Sequence, residues 1–305
     1  MRITYIVLMF IAAIWSVVPA QSNQNEMKHR EPFIVSTAWL GDHLHDASLV
    51  LIQIGKKEEY EVEHIPGAQF LMLSDVSTPR GVGLTLELPS VEKLDSVFES
   101  LGISDGSRII LYFGNDWVSP TTRMFFTLEY IGLGNRTSIL NGGLPLWKLE
   151  KRHVTAEIPK VVRGKFTPHP RPEVVVKGEW VNENLNKPLV AIIDARSPVY
   201  YDGVDDGGMP RAGHIPGAVS IPFDSLVYDN NEFKTTNDLQ KIFSKAGVKP
   251  ETKIVTYCHV GQQATVVYFS ARRLGYDVSL YDGSFQDWSS RKEFPVESPK
   301  AKNEK

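Results

Sequence analysis

Cysteine is almost absent from this chain: Cys258 is the only one in 305 residues. One thiol cannot close a disulfide within the chain, nor can it found a cysteine-rich metal cluster. An excess of charge of one sign is missing too. Thirty-three basic and thirty-six acidic side chains leave a net −3 at pH 7, which removes any argument for a nucleic-acid partner. Long apolar runs are confined to the start, where Ile3 to Val18 follows Met1-Arg2. That run is short for a transmembrane helix. With Val18-Pro-Ala20 behind it, it reads as a signal peptide over residues 1–20, the alternative being an uncleaved anchor. No cysteine follows it, which excludes a lipid-modified cysteine there. The expectation is an exported chain in a periplasm-like compartment, with no membrane attachment once the leader is cleaved. A hydrophobic share of 42% and a charged share of 23% place the remainder among globular proteins.

What the sequence does contain is a repeat. Leu101 to Tyr112 matches Ala246 to Tyr257 without a gap. His64-Ile-Pro-Gly-Ala68 matches His214-Ile-Pro-Gly-Ala218, and Asn141 to Trp147 matches Asp282 to Trp288. Two long repeats mean two homologous domains rather than a solenoid. Each alternates short apolar strands with helical patterns, which argues for α/β domains, each a mostly parallel sheet with helices on both faces. In the second copy the strands are expected at Leu189–Ala195, Ile254–Tyr257 and Val278–Tyr281, with a helix over Leu239–Ala246. The domains are placed at residues 30–150 and 178–298. The basic, proline-containing stretch 151–177 is expected to be an extended connector. The histidines of the two His-Ile-Pro-Gly-Ala turns are expected to bond nearby backbone, and Trp147 and Trp288 to pack.

The stretch from Lys253 to Gly275 organises the second copy. Ile254 to Tyr257 reads as a buried strand, and Ala264, Val267, Tyr268, Ala271 and Leu274 recur at helical spacing. Cys258 opens the loop between them, followed by His259, Val260, Gly261, Gln262 and Gln263. Ligands of parallel sheets bind beyond the carboxyl ends of the strands, and free N–H groups before a helix favour an anion there. Such a setting can bring a thiol pKa from about 8.5 into the range of roughly 3.5–7.5. An inert buried cysteine is the plainer reading, but the loop is polar and contains glycine. The first copy has Phe113 at the place of Cys258, and Gln53 at the place of Asp194. Its loop is longer and contains Pro120. That copy is expected to be catalytically silent and to form one wall of the cleft.

Cys258-His-Val-Gly-Gln-Gln-Ala264 resembles the active-site loop of rhodanese-type sulfurtransferases. Arg211 to Ala218 and Asp282 to Trp288 resemble the other two signatures of that family, so the resemblance spans nearly all of the chain after the leader. It implies that Cys258 carries sulfur as a persulfide, taken from a small anionic donor and passed to cyanide or a thiol acceptor. It implies no cofactor and no metal. An arginine near the position of Arg211 binds the donor anion in related enzymes, and His259 is read as a source of positive charge near pH 6–7. Thiosulfate-preferring members carry basic residues after the cysteine, where His259 and Val260 stand. Mercaptopyruvate enzymes have a serine at the place of Val260 and an acid at the place of Met72. Neither pattern is met; thiosulfate is favoured, with 3-mercaptopyruvate as the alternative donor. A non-catalytic persulfide carrier or partner-binding module is the rival of another class. A phosphatase of related fold is excluded by Ala264, which stands where the phosphate-binding arginine would be.

Overall fold

The computed structural model describes residues 32–79, 81–115 and 117–298. The leader expected over residues 1–20 lies outside them. Strands β1 (Ile34–Val35), β2 (Leu49–Ile54), β3 (Gln69–Leu71), β4 (Arg108–Phe113) and β5 (Thr137–Leu140) form one sheet in the order β1-β5-β4-β2-β3. Strands β6 (Val175–Val176), β7 (Val190–Asp194), β8 (Val219–Ser220), β9 (Lys253–Tyr257) and β10 (Val278–Tyr281) repeat that order as β6-β10-β9-β7-β8. Every strand pairing in both sheets is parallel. The inner strands β2, β4 and β9 are short and buried, so their sequences are largely apolar, as Arg108-Ile-Ile-Leu-Tyr-Phe113 is.

The first sheet carries α1 (Thr37–His43), α2 (Lys57–Val62), α3 (Val91–Ser100), α4 (Val118–Tyr130) and α5 (Gly143–Leu149). The second carries α6 (Gly178–Glu183), α7 (Pro198–Tyr201), α8 (Thr236–Lys245), α9 (Ala264–Arg273) and α10 (Ser284–Ser290). Helix starts follow local chemistry: Ser90 caps α3 and Thr235 caps α8, each through its side-chain oxygen. In α8, Leu239 and Phe243 are buried one turn apart, the apolar face expected from their spacing. The connector runs along the first domain, where Gly164 bonds Glu99, His169 bonds Ile131 and Arg171 bonds Tyr130 through the backbone. Val175 and Val176, at the end of the stretch read as connector, are already a strand of the second sheet.

The duplication extends to single hydrogen bonds. Tyr112 Oη accepts from Ile65 N and Tyr257 Oη from Ile215 N, at 3.2 and 3.1 Å. His64 Nδ1 meets Tyr60 O and His214 Nδ1 meets Tyr201 O, each at 2.7 Å, with the rings stacked. Trp147 and Trp288 are buried, and each donates its indole N–H to a backbone carbonyl.

Helices α4 and α9 pack against each other and join the two halves. Almost every residue of α4 is buried, its polar residues included, so it is packed on all sides between the two halves. Phe125 meets Phe269 edge-on at 4.8 Å and Phe126 meets Tyr268 at 5.0 Å. Thr122 and Thr265 share a hydrogen bond of 2.8 Å, and buried Glu129 pairs with Arg272 at 2.8 Å. One hydrophobic cluster therefore runs through both halves, with a smaller cluster on the outer side of each sheet.

Candidate active site

Cys258 directly follows β9, the central strand of the second sheet, and its side chain is 1% exposed. Its N–H donates to Ser284 Oγ at 3.2 Å, and that hydroxyl donates to Tyr281 O. Ser284 has φ +51, a left-handed conformation that costs a non-glycine residue about 1–2 kcal/mol. Its two hydrogen bonds hold it there.

Three carbonyls of the loop are pulled outward. Phe285 N donates to Cys258 O and Gln286 N to His259 O, both at 2.9 Å, so the first turn of α10 takes two of them. Arg123 Nη1 takes the third, Gly261 O, at 3.1 Å. In a planar trans peptide the following N–H points opposite to the carbonyl. The N–H groups of His259, Val260 and Gln262 are thereby turned away from these donors. Among the described residues, no acceptor meets the N–H groups from His259 to Ala264. Gly261 has φ +80, and a Cβ there would lie 2.8 Å from Asp282 O, so the tight curl needs glycine. The result is a nest of unpaired N–H groups beside a thiol, at the start of a ten-residue helix.

Behind the loop lies a buried ion pair. Asp194 is 0% and Arg196 1% exposed; Nη2 meets Oδ2 at 2.6 Å, and Nε meets Oδ1 at 3.0 Å. Arg196 also donates to Gly213 O and lies over the Phe285 ring at 4.1 Å. Burial disfavours its charge, but the bonds and charge of Asp194 outweigh that, so its pKa is raised.

A family model described as the rhodanese-like domain matches residues 36–150 and again 177–291. The chain belongs to the rhodanese-like family. It is 32% identical over 285 residues to a 3-mercaptopyruvate sulfurtransferase of Escherichia coli K12, covering 88% of this chain and 99% of that one. It is 30% identical over 271 residues to a thiosulfate sulfurtransferase of Azotobacter vinelandii, covering 87% and 97%. Among solved structures it resembles SseA of Escherichia coli, described as a 3-mercaptopyruvate sulfotransferase, with TM-score 0.74 and 30% identity over 83% of this chain and 99% of that one.

The two rhodanese-like copies differ at the site. Phe113 stands where Cys258 does, and its ring packs against Gly143, the counterpart of Ser284. Thr122 follows Phe113 by nine positions, whereas Thr265 follows Cys258 by seven. The two extra residues are wound into α4, which has 13 residues against ten in α9. Gln53 and Gly55 replace Asp194 and Arg196, and both polar atoms of the Gln53 side chain are buried without a partner among the described residues. The first copy thus lacks the thiol, the open loop and the ion pair together.

Two expectations need correction. Arg211 does not face the loop as a free cation. Its Nε donates to Ser289 O, Nη1 to Phe294 O and Nη2 to Trp288 O and Arg291 O, at 2.7–2.8 Å, so it staples the chain after α10. His259 is not a cation near neutral pH. Burial, and then the Arg196 charge, hold its pKa below the ordinary imidazole value. Its ring meets Tyr200 edge-on at 4.6 Å, and Nε2 is buried against the backbone of Gly207. The Gln262 amide is also committed, donating to Ser119 Oγ of the first copy at 3.0 Å.

Sequence reasoning missed Arg123, Arg196, Asp282 and Ser284. The loss of Asp194 and Arg196 together in the first copy was a usable signal. For Arg123 the signal was fainter: with Glu129 it is one of two charged residues in the 13 of α4.

Proposed function

We propose that the chain is a sulfurtransferase that carries a sulfane sulfur on Cys258. The observation that carries this reading is the nest of unpaired N–H groups beside the only thiol of the chain. The Cys258 thiolate attacks the outer sulfur of the donor. With thiosulfate, the sulfur–sulfur bond breaks, its electron pair leaves on sulfite, and Cys258 keeps the outer sulfur as Cys–S–S⁻. The nest stabilises that negative charge, as backbone N–H groups do for oxyanions. Cyanide or a thiolate then attacks the outer sulfur, departs as thiocyanate or a persulfide, and returns the electron pair to Cys258.

Relatives carry the names of both donors, thiosulfate and 3-mercaptopyruvate. Thiosulfate is favoured because Val260 and Met72 stand where the resemblance calls for the serine and the acid of a mercaptopyruvate site. 3-Mercaptopyruvate is the second reading, supported by the relatives that bear its name. The leader is proposed to be removed after Ala20 and the protein to work in a periplasm-like space; an exported fraction whose first residue is Met1 would contradict this.

The test is donor-dependent formation of thiocyanate from cyanide, with thiosulfate and 3-mercaptopyruvate run in parallel. Intact mass after incubation with the donor is expected to show one added sulfur, lost on adding cyanide. Cys258→Ser is expected to abolish both signals while the fold survives. Turnover by the serine variant, or a wild type that gains no sulfur from either donor, would end this reading and leave a binding module.

A further inference from the structure

We propose that Arg123, which comes from the copy without a nucleophile, is a positioning residue for the Cys258 loop. The inference rests on the sulfur-transfer reading above. Arg123 is 1% exposed, and its guanidinium has three acceptors. Nη1 bonds Gly261 O at 3.1 Å and Asp282 Oδ1 at 2.5 Å, and Nη2 bonds Leu86 O at 2.6 Å. A second bond to the same carboxylate comes from Leu88 N, which donates to Asp282 Oδ2 at 3.0 Å. The first copy therefore grips both the loop and the turn that precedes Ser284.

The device runs one way. Arg123 lies nine residues before Gly132, the glycine that follows α4; nine residues before Gly275 stands Val266. Asn141, the counterpart of Asp282, accepts from Phe233 N as Asp282 accepts from Leu88 N. The backbone grip is reciprocal, and the guanidinium is the part found on one side only. It acts on the loop that carries the thiol.

Its target is a glycine peptide, the one most easily turned over. With Gly261 O tied to Arg123, the Gln262 N–H points the opposite way, with the nest. Released, the peptide between Gly261 and Gln262 can flip and present a carbonyl to the persulfide where a donor had been. Losing one well-placed oxyanion donor costs roughly 10²–10³ in kcat. A loop that samples both peptide orientations loses part of that, about tenfold or more.

The test uses the full chain with Arg123→Lys, which keeps a charge for Asp282 but lacks the planar fork whose two nitrogens reach the separate acceptors. Arg123→Gln replaces it should the lysine variant not fold. Thr122→Val is the control, because it breaks the adjacent contact with Thr265 and leaves Gly261 alone. Two readouts separate positioning from packing: the split between kcat and KM for the donor, and the ratio of Cys258 alkylation rates with iodoacetate and with iodoacetamide. Iodoacetate brings a negative charge to the nest and iodoacetamide does not, while both use the same thiolate. The expected result is a kcat lower by about tenfold or more with KM within about twofold, and a lower iodoacetate-to-iodoacetamide ratio, while Thr122→Val keeps both. Position-123 variants that lose stability but keep the wild-type kcat and ratio would show Arg123 to be cement between the halves and overturn the proposal. If the wild type transfers no sulfur, the sulfur-transfer reading fails by itself, and the alkylation ratio still decides for Arg123.

Discussion

Removing both partners of the buried pair Asp194–Arg196 is expected to cost far less than the two single removals added together. Arg196→Met takes three guanidinium contacts from a carboxylate that is 0% exposed, leaving it the backbone N–H of Arg196 at 2.9 Å and the hydroxyl of buried Tyr257. Stranding a buried charge in this way costs about 3–5 kcal/mol, and Asp194→Leu strands the guanidinium at a similar cost. If the two were independent, the double variant would lose about 6–10 kcal/mol, enough to unfold most domains. The pair taken out together strands no charge. What remains is the Gly213 carbonyl, which loses its 2.7 Å bond, and the backbone N–H of residue 196, which loses its 2.9 Å bond, at about 1–3 kcal/mol each. The first copy supports this arithmetic, since it folds with Gln53 and Gly55 at these two places. Urea unfolding of the wild type, both single variants and the double gives the cycle directly, provided the slope stays constant across the four. Turnover of the double is expected to fall even where stability returns, because Arg196 supports the Phe285 turn that holds Cys258 O. A double variant as unstable as the sum of the singles would refute the reasoning, and so would an Arg196→Met that costs less than about 1 kcal/mol.

Arg211→Ala is expected to lower stability by about 2–4 kcal/mol, since four carbonyls lose a charged donor and water restores part of it. Its donor KM should match the wild type; a raised KM at unchanged stability would return Arg211 to the substrate site. His259 gives a pH dependence whose sign follows from its depressed pKa. The unfolded imidazole takes up a proton near pH 6.5 and the folded one only at lower pH. In that window the unfolded state holds more protons, so stability is unaffected above about pH 6.5 and falls as the pH drops below it. His259→Gln should flatten that fall, read as urea midpoints between about pH 8 and pH 5, and parallel curves for the two proteins would contradict the buried, neutral imidazole.

The thiol's position was legible because every clue to it is local. An apolar run, one cysteine, a glycine-containing loop and a helical period lie within the 23 residues from Lys253 to Gly275. The sheets were legible for a similar reason, as the expected Val278–Tyr281 strand is β10 and the expected Leu189–Ala195 strand is β7 with one residue frayed at each end. Apart from Arg196, whose partner Asp194 lies two positions away, the misread residues depend on partners farther along the chain. Arg123 reaches a carbonyl 138 positions away, and Arg211 finds its carbonyls 77–83 positions away. A basic residue near a signature motif looks free until the backbone that uses it is in view. His259 was judged by its type, and its burial comes from Tyr200 and from Gly207 in an insert without periodicity.

The contacts between α4 and α9 also bear on how such a chain could arise. Thr122 and Thr265 each stand ten residues before the glycine that follows their helix, so they are the same position meeting itself across an approximate twofold axis. The ring pairs Phe125–Phe269 and Phe126–Tyr268 occupy each other's equivalent positions under that axis. Two identical copies of an ancestral single-domain chain could make these contacts as an isologous dimer. They could not make the contact three residues before the same glycines, where Glu129 meets Arg272. In a dimer of identical chains, two glutamates or two arginines would be forced together in the core. Opposite charges at one symmetric position require two independently encoded halves, so this pair could be acquired only after fusion. It now ties the half that carries Cys258 to the half with Phe113 in its place.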